Sequence, residues 1–204
     1  MTEAFPQKLH YMKDFFQLCT IDQMTAMTKS ELEEMVASAY SKADYQYLFQ
    51  RATLEPAFFK LVWQVASEKP DKQSWRFLWI LDHATEKSNT NLLPICSDLY
   101  KMVLATKNNS VIRQSMKLIL RCPVNEDHAG ALLDRCITWM NNPKETISNQ
   151  CMGLEFFFRC CELYPEMSSE LLSHIEENLD RHPSAGFKSR LKYFRKKLVD
   201  DLTK

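Results

Sequence analysis

The chain has 204 residues, with 26 Lys/Arg balanced by 26 Asp/Glu, 45% apolar residues and three glycines. That length supports one sizeable domain or a short repeat array, and so few glycines leave no glycine-rich phosphate loop. The longest unbroken apolar run, Phe77 to Leu81, is far shorter than the roughly 20 residues of a membrane-spanning helix. Lys8, Lys13 and Asp14 interrupt the N-terminus, so neither a signal peptide nor a membrane segment is expected. The seven cysteines (19, 96, 122, 136, 151, 160 and 161) include no Cys-x-x-Cys pair and mostly fall on apolar helical stripes. They predict buried, reduced thiols in a soluble cytoplasmic protein rather than a secreted disulfide framework.

Taken in chain order, residues 1–29 read as a less regular N-terminal cap anchored by Phe15, Phe16, Leu18 and Ile21. Ser30, with Glu33 and Glu34 behind it, reads as the N-cap of the first strong helix. Apolar residues at 3.6-residue spacing then predict helices over 30–41, 44–53, 55–67, 73–87, 91–106, 109–121, 126–141, 144–162, 166–180 and 184–201. Prolines 56, 70, 94, 123, 143, 165 and 183 mostly fall where one pattern stops and the next begins. The clearest stripe is Ile147, Cys151, Leu154, Phe158 and Cys161, which stays on one helical face and must pack against neighbours. Residues 30–183 are thus expected to be helix pairs, and 184–204 a capping helix, in a single domain.

A weak internal repeat runs through this array. Asp98, Leu99 and Val103 fall 37 residues before Arg135, Cys136 and Met140, and Leu132, Leu133 and Cys136 fall 39 before Leu171, Leu172 and Ile175. The period predicts helix pairs of about 73–106, 109–141 and 144–180, each covering its neighbour's open apolar face. In pattern the chain resembles the HEAT/armadillo superfamily, which implies an all-α superhelix of stacked antiparallel helix pairs. Three stretches, Trp139-Met-Asn-Asn-Pro-Lys-Glu-Thr-Ile147, Cys160-Cys-Glu-Leu-Tyr-Pro-Glu166 and Ser184-Ala-Gly-Phe-Lys-Ser-Arg190, are similar to small bacterial helical-repeat proteins, some of which carry the name adenylosuccinate lyase. The lyase superfamily's Ser-Ser-x-Met-Pro-x-Lys-x-Asn loop has no counterpart, since Ser168-Ser169-Glu170-Leu171 stops matching after two residues. Lyase activity is therefore not expected.

Several groups of residues are candidates for function. If the second helix of each pair lines a concave surface, Asp98, Lys101, Asp134, Arg135, Thr138, His174 and Glu177 stand off the apolar stripes and face a partner. Their mixed charge suits a polypeptide better than DNA. Residues 184–204 carry seven Lys/Arg against two Asp, a local charge of +5. Lys188, Arg190, Lys192, Arg195 and Lys196 there have the chemistry to meet phosphate, while the acidic preceding helix offers them carboxylate partners instead. Ser184-Ala185-Gly186 opens that helix with free backbone N–H groups. Glu170, His174 and Glu177 share a face at i, i+4 and i+7 without a second helix to complete a metal site. Trp75, Trp79 and Asp82 suggest a likeness to helical-repeat DNA glycosylases, against the plainer reading of core aromatics. The favoured expectation is a non-catalytic scaffold that binds a polypeptide, without cofactor, metal or membrane. The alternative is a nucleic-acid binder or glycosylase-like enzyme.

Overall fold

A computed structural model of the chain describes residues 27–68 and 73–202. They form ten α-helices: α1 (Lys29–Ser38), α2 (Lys42–Leu54), α3 (Pro56–Glu68), α4 (Ser74–Ala84), α5 (Cys96–Ala105), α6 (Asn109–Ile119), α7 (Glu126–Asn141), α8 (Ile147–Leu163), α9 (Ser168–Arg181) and α10 (Ala185–Leu202). Short 3-10 turns, Thr90–Ile95 and Pro165–Met167, lead into α5 and α9, and no strand occurs among the described residues. The expected N-terminal anchors Phe15, Phe16, Leu18 and Ile21, together with Cys19 and Pro70, lie outside the described residues.

Local chemistry sets the helix starts. Thr28, not Ser30, is the N-cap of α1: its hydroxyl accepts from Glu31 N–H while the Glu31 carboxylate accepts from Thr28 N–H at 2.7 Å. That reciprocal box satisfies two orphan amides and leaves Ser30, which has Glu33 at the same three-residue spacing, inside the first turn. Ser41 and Asp44 repeat the device at α2. Helix α8 begins at Ile147 rather than near 144, because extended Thr146 caps it by accepting from Asn149 N–H. Residues 91–95, expected as the first turn of a longer helix, belong instead to the 3-10 turn Thr90–Ile95 that carries Pro94.

The helices stack in two layers. Helix α3 packs on α4, α5 on α6, α7 on α8 and α9 on α10, whereas α4 and α5, or α6 and α7, follow each other in the chain and scarcely touch. The pairs therefore begin one helix earlier than the 37-residue repeat implied. First helices (α1, α3, α5, α7, α9) form layer A, and second helices (α2, α4, α6, α8, α10) form layer B. The closest pair is α7 with α8, where a Cβ on Gly153 would stand 3.0 Å from the Cys136 carbonyl oxygen. A side chain there would press on the Cys136 backbone more closely than ordinary van der Waals contact, so the glycine eases the approach of the two helices.

One continuous apolar core runs between the layers, with Leu48, Leu78, Tyr100, Phe156, Phe157 and Phe187 among its fully buried side chains. Guanidinium groups tie successive repeats. Arg121 donates to Asp82 O at 2.7 Å, and Arg159 donates to Cys122 O at 2.7 Å and Ile119 O at 3.3 Å. Arg135 donates to Leu104 O at 2.9 Å, to Thr106 O at 2.7 Å and to Val103 O. Each arginine thereby satisfies carbonyls orphaned at the end of a helix one repeat earlier, and its charge complements the negative pole of that helix.

Candidate functional site

The seven residues assigned to a second-helix surface stand instead on α5, α7 and α9, the first helices of their pairs. The shift in pairing is the reason. Arg135 is committed to the α5 carbonyls and stacks 5.1 Å over Trp139, so its guanidinium staples α7 to the end of α5. Thr138 donates to Asp134 O in its own helix, leaving the Asp134 carboxyl at the surface. His174 lies 3.4 Å from the Asn141 side chain, and Glu177 pairs with Arg181 at 2.6 Å. Asp98 pairs with Lys101 at 3.0 Å, and both stay exposed.

Those last two residues border an opening in layer A. Helices α5 and α7 touch, as do α1 and α3, but α3 and α5 stand apart, leaving a groove of about 580 Å³. Trp63 and Met102 floor it, Ala105 stands at its edge, and Asp98, Lys101 and Lys107 supply the charged rim. Sequence periodicity named Asp98 and Lys101 but missed Trp63 and Met102. Both carry the apolar pattern of core residues, and only the separation of α3 from α5 gives them a cleft to line.

The basic C-terminal helix is partly neutralised by acidic neighbours. Arg190 meets Glu155 of α8 at 2.7 Å and Arg195 meets Glu176 of α9 at 2.5 Å, while Lys197 lies over the Phe158 and Tyr193 rings. Lys192 and Lys196 remain exposed and Lys188 half-buried. Ser184 spends its hydroxyl on Phe187 N–H, and its own N–H donates to His182 Nδ1 at 3.1 Å. Its role is helix capping.

Other ionisable groups are held for structure. The Asp82 carboxylate is buried and takes Lys117 at 3.1 Å and Arg121 at 2.6 Å, so it faces no ligand. His174 approaches Glu170 at 4.0 Å while Glu177 turns to Arg181, and no cluster of potential metal ligands occurs among the described residues. Cys96, Cys122, Cys136, Cys160 and Cys161 are buried free thiols and Cys151 is half-buried. Burial pushes Cys122 up to about 12 and Cys160 and Cys161 up to about 11, so they stay protonated and poorly nucleophilic at neutral pH. No helix among the described residues is long and apolar enough to cross a membrane. Trp75 and Trp79, expected as core aromatics, pack on the core but are half-buried, with part of each ring facing a second cleft on layer B.

A family model of the HEAT repeat domain matches residues 32–198, nearly the whole of the helical stack. No curated protein and no solved structure matches the chain.

Proposed function

The chain belongs to the HEAT repeat family, and we propose that it is a non-catalytic scaffold that binds a polypeptide. The observation that carries this reading is the α3–α5 groove. Its Trp63 and Met102 floor is apolar, and its Asp98, Lys101 and Lys107 rim carries both signs of charge. Protein–protein interfaces have that anatomy, an apolar centre inside a polar border. The slot runs between two helices of one layer, a geometry suited to an amphipathic segment that lays its apolar side on the floor. HEAT arrays commonly serve protein–protein interaction, and a stack of repeats offers an extended surface without a moulded cavity for chemistry. The partner surface expected on second helices is thus relocated to layer A, with Asp98 and Lys101 kept and Arg135 withdrawn. Glu177, Asp134, Thr138 and His174 extend the same layer toward the C-terminal repeats.

Selection from a displayed peptide library tests this. The intact chain is expected to enrich a family of amphipathic peptides, and Ala105→Arg, which plants a bulky cation at the groove's edge, weakens their binding at least about tenfold by filling the slot. Ala105 is exposed, so the variant retains the fold. Enriched peptides that bind Ala105→Arg as tightly as the parent would rule the groove out.

A further inference from the structure

We propose that a second cleft, on layer B, binds an acidic segment of a polypeptide, taking a carboxylate between Arg76 and Arg113 against an aromatic wall. It rests on the scaffold reading for the polypeptide nature of the ligand, but it uses a different face.

The cleft holds about 370 Å³ where the α1–α2 turn meets α4 and α6. That is the lower end of the roughly 300–1,000 Å³ of ligand sites, enough for one or two side chains of a segment. Trp75 and Trp79 wall one side, and Tyr40 at the rim is 89% exposed, the most exposed large apolar side chain among the described residues.

Its charge is of one sign. Lys42, Arg76 and Arg113 line it, and no carboxylate does. Of the neighbouring acids, Asp44 is occupied by Tyr40 N–H at 2.9 Å, Ser41 N–H at 2.8 Å and the Ser41 hydroxyl at 3.0 Å. Asp82, one turn on in α4, is held by Lys117 and Arg121. Arg76 donates to Val36 O at 3.0 Å, neighbours the Tyr45 hydroxyl and lies 5.7 Å from the Trp75 ring centroid, while Arg113 is exposed and meets no carboxylate among the described residues. A guanidinium offers paired donors that match a carboxylate's two oxygens.

Gln114 is a second, independent observation that points to a ligand. It lines the cleft at 4% exposure, and its buried Oε1 has no hydrogen-bond partner. An unanswered buried amide costs about 1–3 kcal/mol, so such groups are rare in folded proteins. A segment of polypeptide carries backbone N–H donors beside its side-chain carboxylates and answers both needs together. A nucleic acid would want a cationic track, and among the described residues of α6 and α8 the cleft's charge is not continued by free cations. Lys117 and Arg121 are bound to Asp82, Arg159 to helix-end carbonyls and Arg190 to Glu155.

The test uses the full chain and a fluorescein-labelled, end-blocked Gly-Glu-Glu-Phe-Glu-Gly peptide, read by anisotropy. Saturable binding is expected, weakened at least about tenfold by Arg113→Glu and severalfold by Gln114→Met, and reduced by raising salt from about 50 to about 500 mM. Arg113 is exposed, and an unchanged helical circular dichroism spectrum certifies the fold of both variants. Ala105→Arg leaves this binding intact, so failure in the α3–α5 groove and failure here are separable. Peptide affinity that is the same for Arg113→Glu and the parent overturns the proposal. So does a decathymidylate that binds more tightly and displaces the peptide, which would make the cleft a nucleic-acid site.

Discussion

The steps on either side of α5 in layer A are built from register-equivalent residues, yet one is closed and the other open. Between α5 and α7, Arg135 reaches back to Val103, Leu104 and Thr106 and staples the end of α5. Thirty-seven residues earlier the same register position holds Asp98, a carboxylate that has nothing to donate to the end of α3 and turns to Lys101 instead. Thirty-nine residues after Arg135 comes His174, which only touches Asn141 at the end of α7, at 3.4 Å. The α5–α7 step thus has a guanidinium tie that the α3–α5 step lacks, and the groove lies at the step without it.

The most damaging way to attack the closed side is through the pair beneath it. Gly153→Val drives a branched side chain into the Cys136 backbone, and it is expected to cost about 3 kcal/mol or more in urea denaturation. A cost below about 1 kcal/mol would mean that α7 and α8 are free to separate. Arg135→Ala comes next. Removing donors to three carbonyls is expected to cost about 2 kcal/mol, while Lys101→Ala on the open step stays within about 0.5 kcal/mol. Equal losses from the two would erase the contrast.

Asp98→Arg inverts the comparison. It places a staple at the register position of Arg135, so α3 and α5 draw together and the fold gains about 1 kcal/mol while groove-selected peptides bind less well. A gain in stability with peptide binding untouched would separate the groove from the proposed function.

Ten periodic segments correspond to the ten helices because the packing of a two-layer stack makes each helix hide one face, and that demand is written at 3.6-residue spacing. Helix starts were less legible where two capping sets compete, as with Thr28-Glu31 against Ser30-Glu33. Pairing failed for another reason. Repeat periodicity gives the length of a unit but not its origin, so α4 with α5 and α3 with α4 are equally consistent with a shift of 37, and only side-chain packing chooses. The sites inherited that ambiguity. Asp98 and Lys101 were identified from their position off the stripe, but Arg135 had the same pattern and is structural. Arg113 and Gln114 gave no signal, because a cleft assembled from α2, α4 and α6 draws on residues more than 70 apart in sequence.

The smallest effect concerns the last step of the stack, where a buried histidine bridges α8 and the start of α10. Buried His182 accepts from Ser184 N–H through Nδ1 at 3.1 Å and meets the Gln150 amide through Nε2 at 2.9 Å. Burial, and then the nearby Lys188 charge, hold its pKa below the usual 6.5. Protonation puts a hydrogen on Nδ1 and forfeits the Ser184 bond that opens α10. Since the folded pKa is depressed, the unfolded chain binds the proton more readily. The contribution of His182 is therefore whole above pH 6.5 and shrinks as pH falls through and below that value. Urea midpoints of the parent should decline between about pH 6.5 and 5, and those of His182→Gln should decline less over the same interval. Parallel slopes would place the proton uptake elsewhere. Acid is therefore expected to loosen the α9–α10 end of the array before the repeats that the Arg121, Arg135 and Arg159 guanidinium groups hold.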